Sequence, residues 1–494
     1  MRLLKKATAG LLGALALLVM VVLGRTMMFR PGPGVRVPLV EIAVDAETAA
    51  RRLAKGISFP TISNQEKQDD NRAAFAAYQD YLAQTYPEVH KALPVEKVGG
   101  ASLVYTWKGK DPSKPPVVLM GHQDVVPVVS GTEKDWEHGP FSGDVANGYI
   151  WGRGSLDDKV MVQAILEAAE ALLLQKYEPA RTIYLAFGHD EEVGGTEGMK
   201  SVVQWLQHKG VNEVALVLDE GLPMAPGLFP GIEGLTALIG VAEKGYLSLE
   251  LRVEGEGGHS AMPPRHSNIG LLAGAIRRLE EHPFALRLPP VVESQFECLG
   301  PEMPFKSRLV LANLWLCKGL FLRTLARQPK TAAFVRTTTA ATMFNAGVKD
   351  NVMPSQATAV INFRILPGET VASVTQRVRA IINDDRVKLR ALGSSDDPSP
   401  ASDPRSKPFQ LVERTIREIW GVPDLRVAPI LVIGGTDARH FSGLSQHVLR
   451  FTAVRVESPA DSARWHGTNE RVLVKEYAKS IGFFQRLMTR LETL

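Results

Sequence analysis

Three short apolar runs in this sequence break off abruptly into acids or histidine. VVLMG runs into His122 and Asp124, IYLAFG into His189, Asp190, Glu191 and Glu192, and VALVL into Asp219 and Glu220. Runs of this length and unbroken apolar character describe strands buried on both faces. Between the first two lies DDKVMVQAILEAAEALLLQ, a helical pattern whose acidic start complements the helix dipole. Strands alternating with helices predict an α/β fold, a doubly wound, mostly parallel sheet covered on both faces. Ligands of such sheets collect beyond the carboxyl ends of the strands, which is where all three runs place their acids. The loop WGRGSLDDK adds Asp157 and Asp158. Carboxylates so close would repel, and most would take up protons unless a divalent cation compensated them.

Only two of the 494 residues are cysteines, Cys298 and Cys317, so no disulfide framework organises the fold and any metal must be held by histidine and carboxylates. Zinc accepts both ligand types, and two zinc ions can hold a hydrolytic water between them. His122, Asp157, Glu192 and Asp219 are the candidates, with His466 in SARWHGTNE returned to the site by folding. Net charge is +4 with both signs interspersed. That excludes the basic stripe of a nucleic-acid binder.

The N-terminus differs in character from the rest. Arg2, Lys5 and Lys6 precede an apolar run from Ala7 to Gly24, about the minimum length of a membrane span. It ends in LGRTMMF, without the small-residue pair a signal peptidase needs. Residues 1–30 are therefore expected to be an uncleaved membrane anchor, with a cleaved signal peptide and secretion as the alternative. In both cases the catalytic domain lies outside the cytoplasm, although Arg25, Arg30 and Arg36 weaken the charge contrast. RPGPGVRVP cannot be helical, which makes 31–44 a linker.

The catalytic domain is expected over 45–240 and 399–494. At 241–398 the pattern changes to alternating strands, EKGYLSLELRVEGEGG and NVMPSQATAVINFRILPG, with intervening helices, the pattern of an inserted α+β domain. Within it, 285–339 is an extra apolar piece containing SRLVLANLWLCKGLFLRTLA, too short and too interrupted by Asn313 and Lys318 to span a membrane. A long amphipathic helix from Asn469 to near Leu491 closes the chain.

GHQDVVP, GRGSLDDK, GHDEEVGG, LVLDEG, GGHSAMPP, KDNVMPSQATAVINFRILPG, GGTDARHF and WHGTNE occur in the order found in the M20 metallopeptidases. The sequence most resembles the carboxypeptidase S and N-acyl-amino-acid hydrolase branch. The resemblance implies two zinc ions bridged by Asp157, one completed by His122 and Asp219, the other by Glu192 and His466. Glu220 is the alternative ligand beside Asp219, and His189 and Asp190 stay off the metal. Glu191 is implied as general base, Asp124 as the carboxylate that orients His122, and a cis peptide is implied at Asp157–Asp158.

The inserted domain is implied to be a ferredoxin-like lid. There His259 would polarise the scissile carbonyl, and Asn351 and Arg364 would hold the substrate's carboxylate or oxyanion. Gly435 and Thr436 in GGTD would offer backbone N–H groups. The plain alternatives are a surface asparagine, a strand arginine and a tight turn. A homodimer through the lid is also implied, one that the large insert would block or remodel. The reaction expected from these residues is hydrolysis of the amide in N-acyl amino acids or in short peptides with a free C-terminal carboxylate. Strict carboxypeptidase action is the second reading, and an inactive binding module on a peptidase fold the third. Every base and ligand position is chemically competent, which argues against the third.

Overall fold

The computed structural model describes residues 2–32, 37–64, 71–229, 231–422, 425–462 and 464–494. Residues 33–36 of the expected linker lie outside that set. The chain divides into two compact units, one of residues 35–242, 400–432 and 436–494, the other of residues 1–34, 243–399 and 433–435.

The larger unit is built on a nine-stranded sheet. Its order is Val95–Val98, Ser102–Trp107, Ile183–Gly188, Val117–His122, Leu216–Asp219, Val448–Arg450, Leu235–Glu243 and Arg426–Val432, with Ala225–Pro226 beside Leu235–Glu243. The strands formed by the three apolar runs are adjacent, mutually parallel and buried along their whole length. Strand side chains alternate between faces. Val118, Met120, Tyr184, Ala186 and Val217 pack against Met199, Val202 and Leu206 of the helix Met199–His208. The helix Lys159–Leu174 packs against the strand Val117–His122, and Val474–Arg490 packs in turn on that helix. Each large aliphatic side chain buried this way contributes roughly 1.5–3 kcal/mol, so the strand ends are fixed on a well-packed base.

The expectation of a mostly parallel sheet needs correction, because the sheet is mixed. Val95–Val98 runs antiparallel to Ser102–Trp107, which runs antiparallel to Ile183–Gly188, and Val448–Arg450 runs antiparallel to Leu235–Glu243. The physical reason at the first edge is connection length. Residues 99–101 make a turn, whereas a parallel neighbour needs a crossover of a dozen residues or so. The closing helix also begins later than expected, at Val474. Arg471–Leu473 instead pairs with Tyr149–Trp151 in a three-stranded sheet with Val145–Ala146.

The smaller unit carries a four-stranded antiparallel sheet in the order Thr338–Ala346, Gln356–Ile365, Gly245–Glu254, Val387–Asp396. With the helices Asn268–Glu281 and Val371–Ile382 the chain reads βαββαβ, a ferredoxin-like arrangement. Gln356–Ile365 buries every second residue, and Ala357, Ala359, Ile361, Phe363 and Ile365 meet Leu272, Ala275, Val374 and Val378 of the two helices. The apolar piece forms the helices Pro290–Leu299, Phe305–Leu311, Leu314–Leu325 and Pro329–Ala332. This unit also includes the N-terminal helix Arg2–Met28, whose stretch Leu4–Met28 is long and apolar enough to cross a membrane.

Candidate metal centre

The carboxyl ends of the parallel strands deliver the site. His122 is the last residue of Val117–His122, Glu191–Val193 is a 3-10 turn three residues after Ile183–Gly188, and Asp219 ends Leu216–Asp219. Asp157 and Asp158 precede the helix Lys159–Leu174, and the peptide bond between them is cis. A Cβ at Gly121 would come within 2.8 Å of Asp158 Oδ2, so glycine is what lets that carboxylate reach the strand and accept the His122 N–H at 3.2 Å.

Asp157 lies between two imidazoles. His122 Nε2 is 3.0 Å from its Oδ1, and His466 Nε2 is 3.0 Å from its Oδ2 and 3.2 Å from Glu192 Oε2. Thus His122, Asp157, Glu192 and His466 are brought together. Glu191 and Glu220 join from the other side, where His122, Glu191 and Glu220 have ligand atoms within 4.8 Å of one another. Glu220 Oε1 is 3.5 Å from His122 Nε2. Asp219 is turned differently, its Oδ2 accepting the Ala438 N–H at 2.8 Å.

Asp124 is fully buried and serves more than its neighbouring histidine. Its carboxylate accepts the Ser63 hydroxyl at 2.6 Å and the backbone N–H groups of Glu191 and Glu192 at 3.2 and 3.1 Å. His122 Nδ1 meets the Asp124 carbonyl at 2.9 Å and its carboxylate at 3.3 Å. Asp124 therefore contacts the imidazole through both its carbonyl and its carboxylate, and the carboxylate anchors both glutamates.

The electrostatics describe a site that needs positive charge. Burial raises the Glu191 carboxyl well above its usual range, with the Glu220 charge adding to it, and burial together with the Asp157 charge pushes Glu220 up to about 8. Hydrogen bonds to Asp157 and Glu192 lift His466 to about 10. Burial works against ionisation of Asp157, but hydrogen bonds from His122 and His466 outweigh it and hold the carboxylate below its ordinary range. Glu192 Oε1 and Asp158 Oδ1 are buried without a hydrogen-bond partner among the described residues, so lone pairs remain for a ligand. Imidazole nitrogen with carboxylate oxygen is a donor set zinc accepts, and the residues fit a metal site.

Glu470 has no part in the sequence expectations. It is buried, and its Oε1 accepts the backbone N–H groups of Gly154, Leu156 and Asp157 at 3.0, 2.7 and 3.1 Å. Its Oε2 accepts from Arg153 Nη1 at 2.7 Å. The signal was its place in WHGTNE, four residues after His466.

The expected substrate-contacting residues fall in both units. His259 and Asn351 share a ribbon of the smaller unit, in which Gly258–His259 pairs with Val352–Met353 and Ser260 N–H reaches the Asn351 carbonyl at 3.2 Å. Arg364 lies on the ferredoxin-like sheet with its guanidinium 4.7 Å from the centre of the Tyr246 ring. Gly435 also belongs to the smaller unit, whereas Thr436 belongs to the larger. Thr436 caps the turn Asp437–Gly443, its hydroxyl accepting the Ala438 N–H at 3.3 Å.

Relatives share this sequence and fold over nearly its whole length. The chain is 41% identical over 448 residues to probable carboxypeptidase S-like 2 of Dictyostelium discoideum, covering 90% of this chain and 85% of that one. It is 38% identical over 489 residues to the N-fatty-acyl-amino acid synthase/hydrolase PM20D1 of Homo sapiens, covering 97% and 95%. The M20 family metallo-carboxypeptidase Sso-CP2 of Sulfolobus solfataricus shares the fold at a TM-score of 0.67 and 19% identity, over 92% of this chain and 100% of that one. Residues 118–490 match the model of peptidase family M20/M25/M40, and with the metal-type cluster on its strand ends this chain belongs to that family.

Proposed function

We propose that this chain is a two-zinc amidohydrolase that cleaves N-acyl amino acids, with long-chain acyl groups preferred. The observation that carries the metal reading is Asp157, whose two carboxylate oxygens face His122 and His466 at 3.0 Å each. Bound zinc would supply Lewis acidity toward the amide carbonyl and toward a water. Asp157 would bridge, His122 and Asp219 would hold one ion, and Glu192 and His466 the other. Glu191 takes the proton of the attacking water and passes it to the leaving nitrogen. Asp124 holds Glu191 and His122 in register through the bonds described above. In this proposal the smaller unit acts as a lid. His259, Asn351 and Arg364 serve the carbonyl oxygen and the carboxylate of the released amino acid, and Gly435 and Thr436 offer backbone N–H groups.

Preference for the acyl amide is supported by the similarity to the human N-fatty-acyl-amino acid synthase/hydrolase over 97% of the chain. Similarity to the carboxypeptidase S-like relative favours peptides. Comparing kcat/KM for a long-chain N-acyl amino acid and for an N-blocked dipeptide separates the two. We expect at least about a tenfold preference for the acyl substrate, and a preference for the dipeptide would assign the chain to carboxypeptidase action.

The carboxylate beside His122 is the most specific test of the ligand set. Motif order gives the position to Asp219, and its bond from Ala438 N–H is the kind of support a ligating carboxylate has. Glu220 is nevertheless the acid that faces His122. Elemental analysis is expected to find about one zinc per chain in Asp219→Ala and about two in Glu220→Ala. The reverse pattern would transfer the position to Glu220.

We further propose that the helix Arg2–Met28 anchors the chain in a membrane with the catalytic unit outside the cytoplasm. Its support is the apolar stretch Leu4–Met28, whose most apolar part is exposed in the folded chain.

A further inference from the structure

The helices of the apolar piece have no role in the chemistry proposed above, and their composition is one-sided. From Met303 to Lys349 the sequence contains no Asp or Glu, yet carries Lys306, Arg308, Lys318, Arg323, Arg327 and Lys330 among its basic residues. Trp315, Leu316, Gly319 and Leu320 are spaced to share one face of the helix Leu314–Leu325. That face is exposed, with Trp315 57%, Leu316 52% and Leu320 61% accessible, and Phe305 is exposed on the preceding helix. An apolar face bordered by basic residues, with a tryptophan on it, is the composition of an interfacial membrane helix.

The same segment is fastened to the apolar N-terminal helix. Arg25 Nε donates to the Ala312 carbonyl at 3.0 Å, and Asn313 Nδ2 donates to the Val22 carbonyl and the Thr26 hydroxyl at 3.2 Å each. A Cβ at Gly300 would lie 2.8 Å from the Phe29 ring, so this glycine permits the helix end to approach. A hydrocarbon core uses about 20 helical residues. A span that starts just after Lys5 and Lys6 is therefore complete near Arg25, where the insert is attached. Headgroup level is where its apolar face then sits.

We propose that Phe305–Leu325 docks on an anionic lipid bilayer beside the anchor, with Trp315, Leu316 and Leu320 among the upper acyl chains and the basic residues among the headgroups. The proposal rests on the anchor reading and is independent of substrate. A bilayer rather than a second copy is favoured by continuity with the apolar helix and by the uniform basic charge, which two identical faces would bring into repulsion.

The test uses the full chain with Cys298→Ser and Cys317→Ser, labelled with an environment-sensitive fluorophore through Gly319→Cys, in nanodiscs of phosphatidylcholine and phosphatidylglycerol. A Cβ at Gly319 meets nothing within 4 Å, and the same holds for a control label at the exposed Gly443 in the larger unit and for an anchor label at Gly13. The expected result at 319 is a blue-shifted emission quenched by lipids spin-labelled near the headgroup, and reduced quenching by aqueous iodide relative to 443. Replacing phosphatidylglycerol by phosphatidylcholine should weaken the lipid quenching. Lipid quenching at 13 with iodide quenching at 319 equal to that at 443 would overturn the docking and spare the anchor. Lipid quenching lost at both 13 and 319 would remove the anchor and the docking together. Shielding of 319 from both quenchers would assign the face to a second copy and overturn the proposal.

Discussion

Glu191→Gln is expected to keep its full zinc content and to lose about 10²–10⁴-fold in kcat, with KM little changed. The expectation follows from how the two adjacent glutamates are held. Their backbone N–H groups are pinned by the two oxygens of one carboxylate, Asp124. Neighbouring residues on the Glu191–Val193 turn then send their side chains in different directions. Glu192 reaches His466 at 3.2 Å, while Glu191 groups with His122 and Glu220. A glutamine keeps the shape and a carbonyl acceptor, but it cannot accept and return a proton. Loss of a proton carrier that acts in the transition state lowers kcat without weakening ground-state binding. Zinc content by elemental analysis and kcat on an N-acyl amino acid are the paired measurements. Loss of zinc in Glu191→Gln would make Glu191 a ligand, and unchanged kcat would remove its role as base.

The parts of this site readable in the sequence were those whose geometry is local. An apolar run that stops at an acid places the acid at a strand end whatever the rest of the chain does, and His122, Asp219 and the Glu191–Glu192 pair were found that way. The loop WGRGSLDDK added Asp157 and SARWHGTNE offered His466 as a distant candidate, and the family motifs supplied their roles, since their meeting depends on residues far apart in the chain. Sequence reasoning failed where side-chain direction or distant contact decides. Asp219 and Glu220 are neighbours, so they point to opposite sides, and which one faces His122 depends on the pleat of the strand and on Ala438, 219 residues away. The antiparallel edge at Val95–Val98 was missed because a short turn carries little periodic signal. The apolar insert breaks into short helices, Leu314–Leu325 among them, and its attachment to the N-terminal helix through Asn313 is not visible in the sequence, where Asn313 reads only as an interruption.

Glu470 is the contact whose removal should cost most in stability. Its carboxylate is buried, neutralises Arg153, and accepts three backbone N–H groups from the loop that presents Asp157. Arg153 is itself buried, with its guanidinium 5.4 Å from the centre of the Trp136 ring and Nη2 on the Gly467 carbonyl at 3.0 Å. Glu470→Ala would leave that cation without its carboxylate, a change that typically costs 3–5 kcal/mol, and would also release the three N–H groups, each about 1–3 kcal/mol if left unsatisfied. An apparent Tm lower by on the order of 5–10 °C is expected, together with weakened zinc binding because the Asp157 loop is no longer held.

The two roles of Glu470 separate in a double variant. Arg153→Met in the Glu470→Ala background removes the orphaned charge, and replacing both partners of a buried pair by apolar groups is often close to neutral. It does nothing for the amides of Gly154, Leu156 and Asp157. Thermal stability should therefore recover in part, while zinc affinity and kcat stay low. Recovery of zinc binding to the level of the unmodified chain would show that Glu470 serves only to neutralise Arg153, and that the loop carrying Asp157 holds its shape without it.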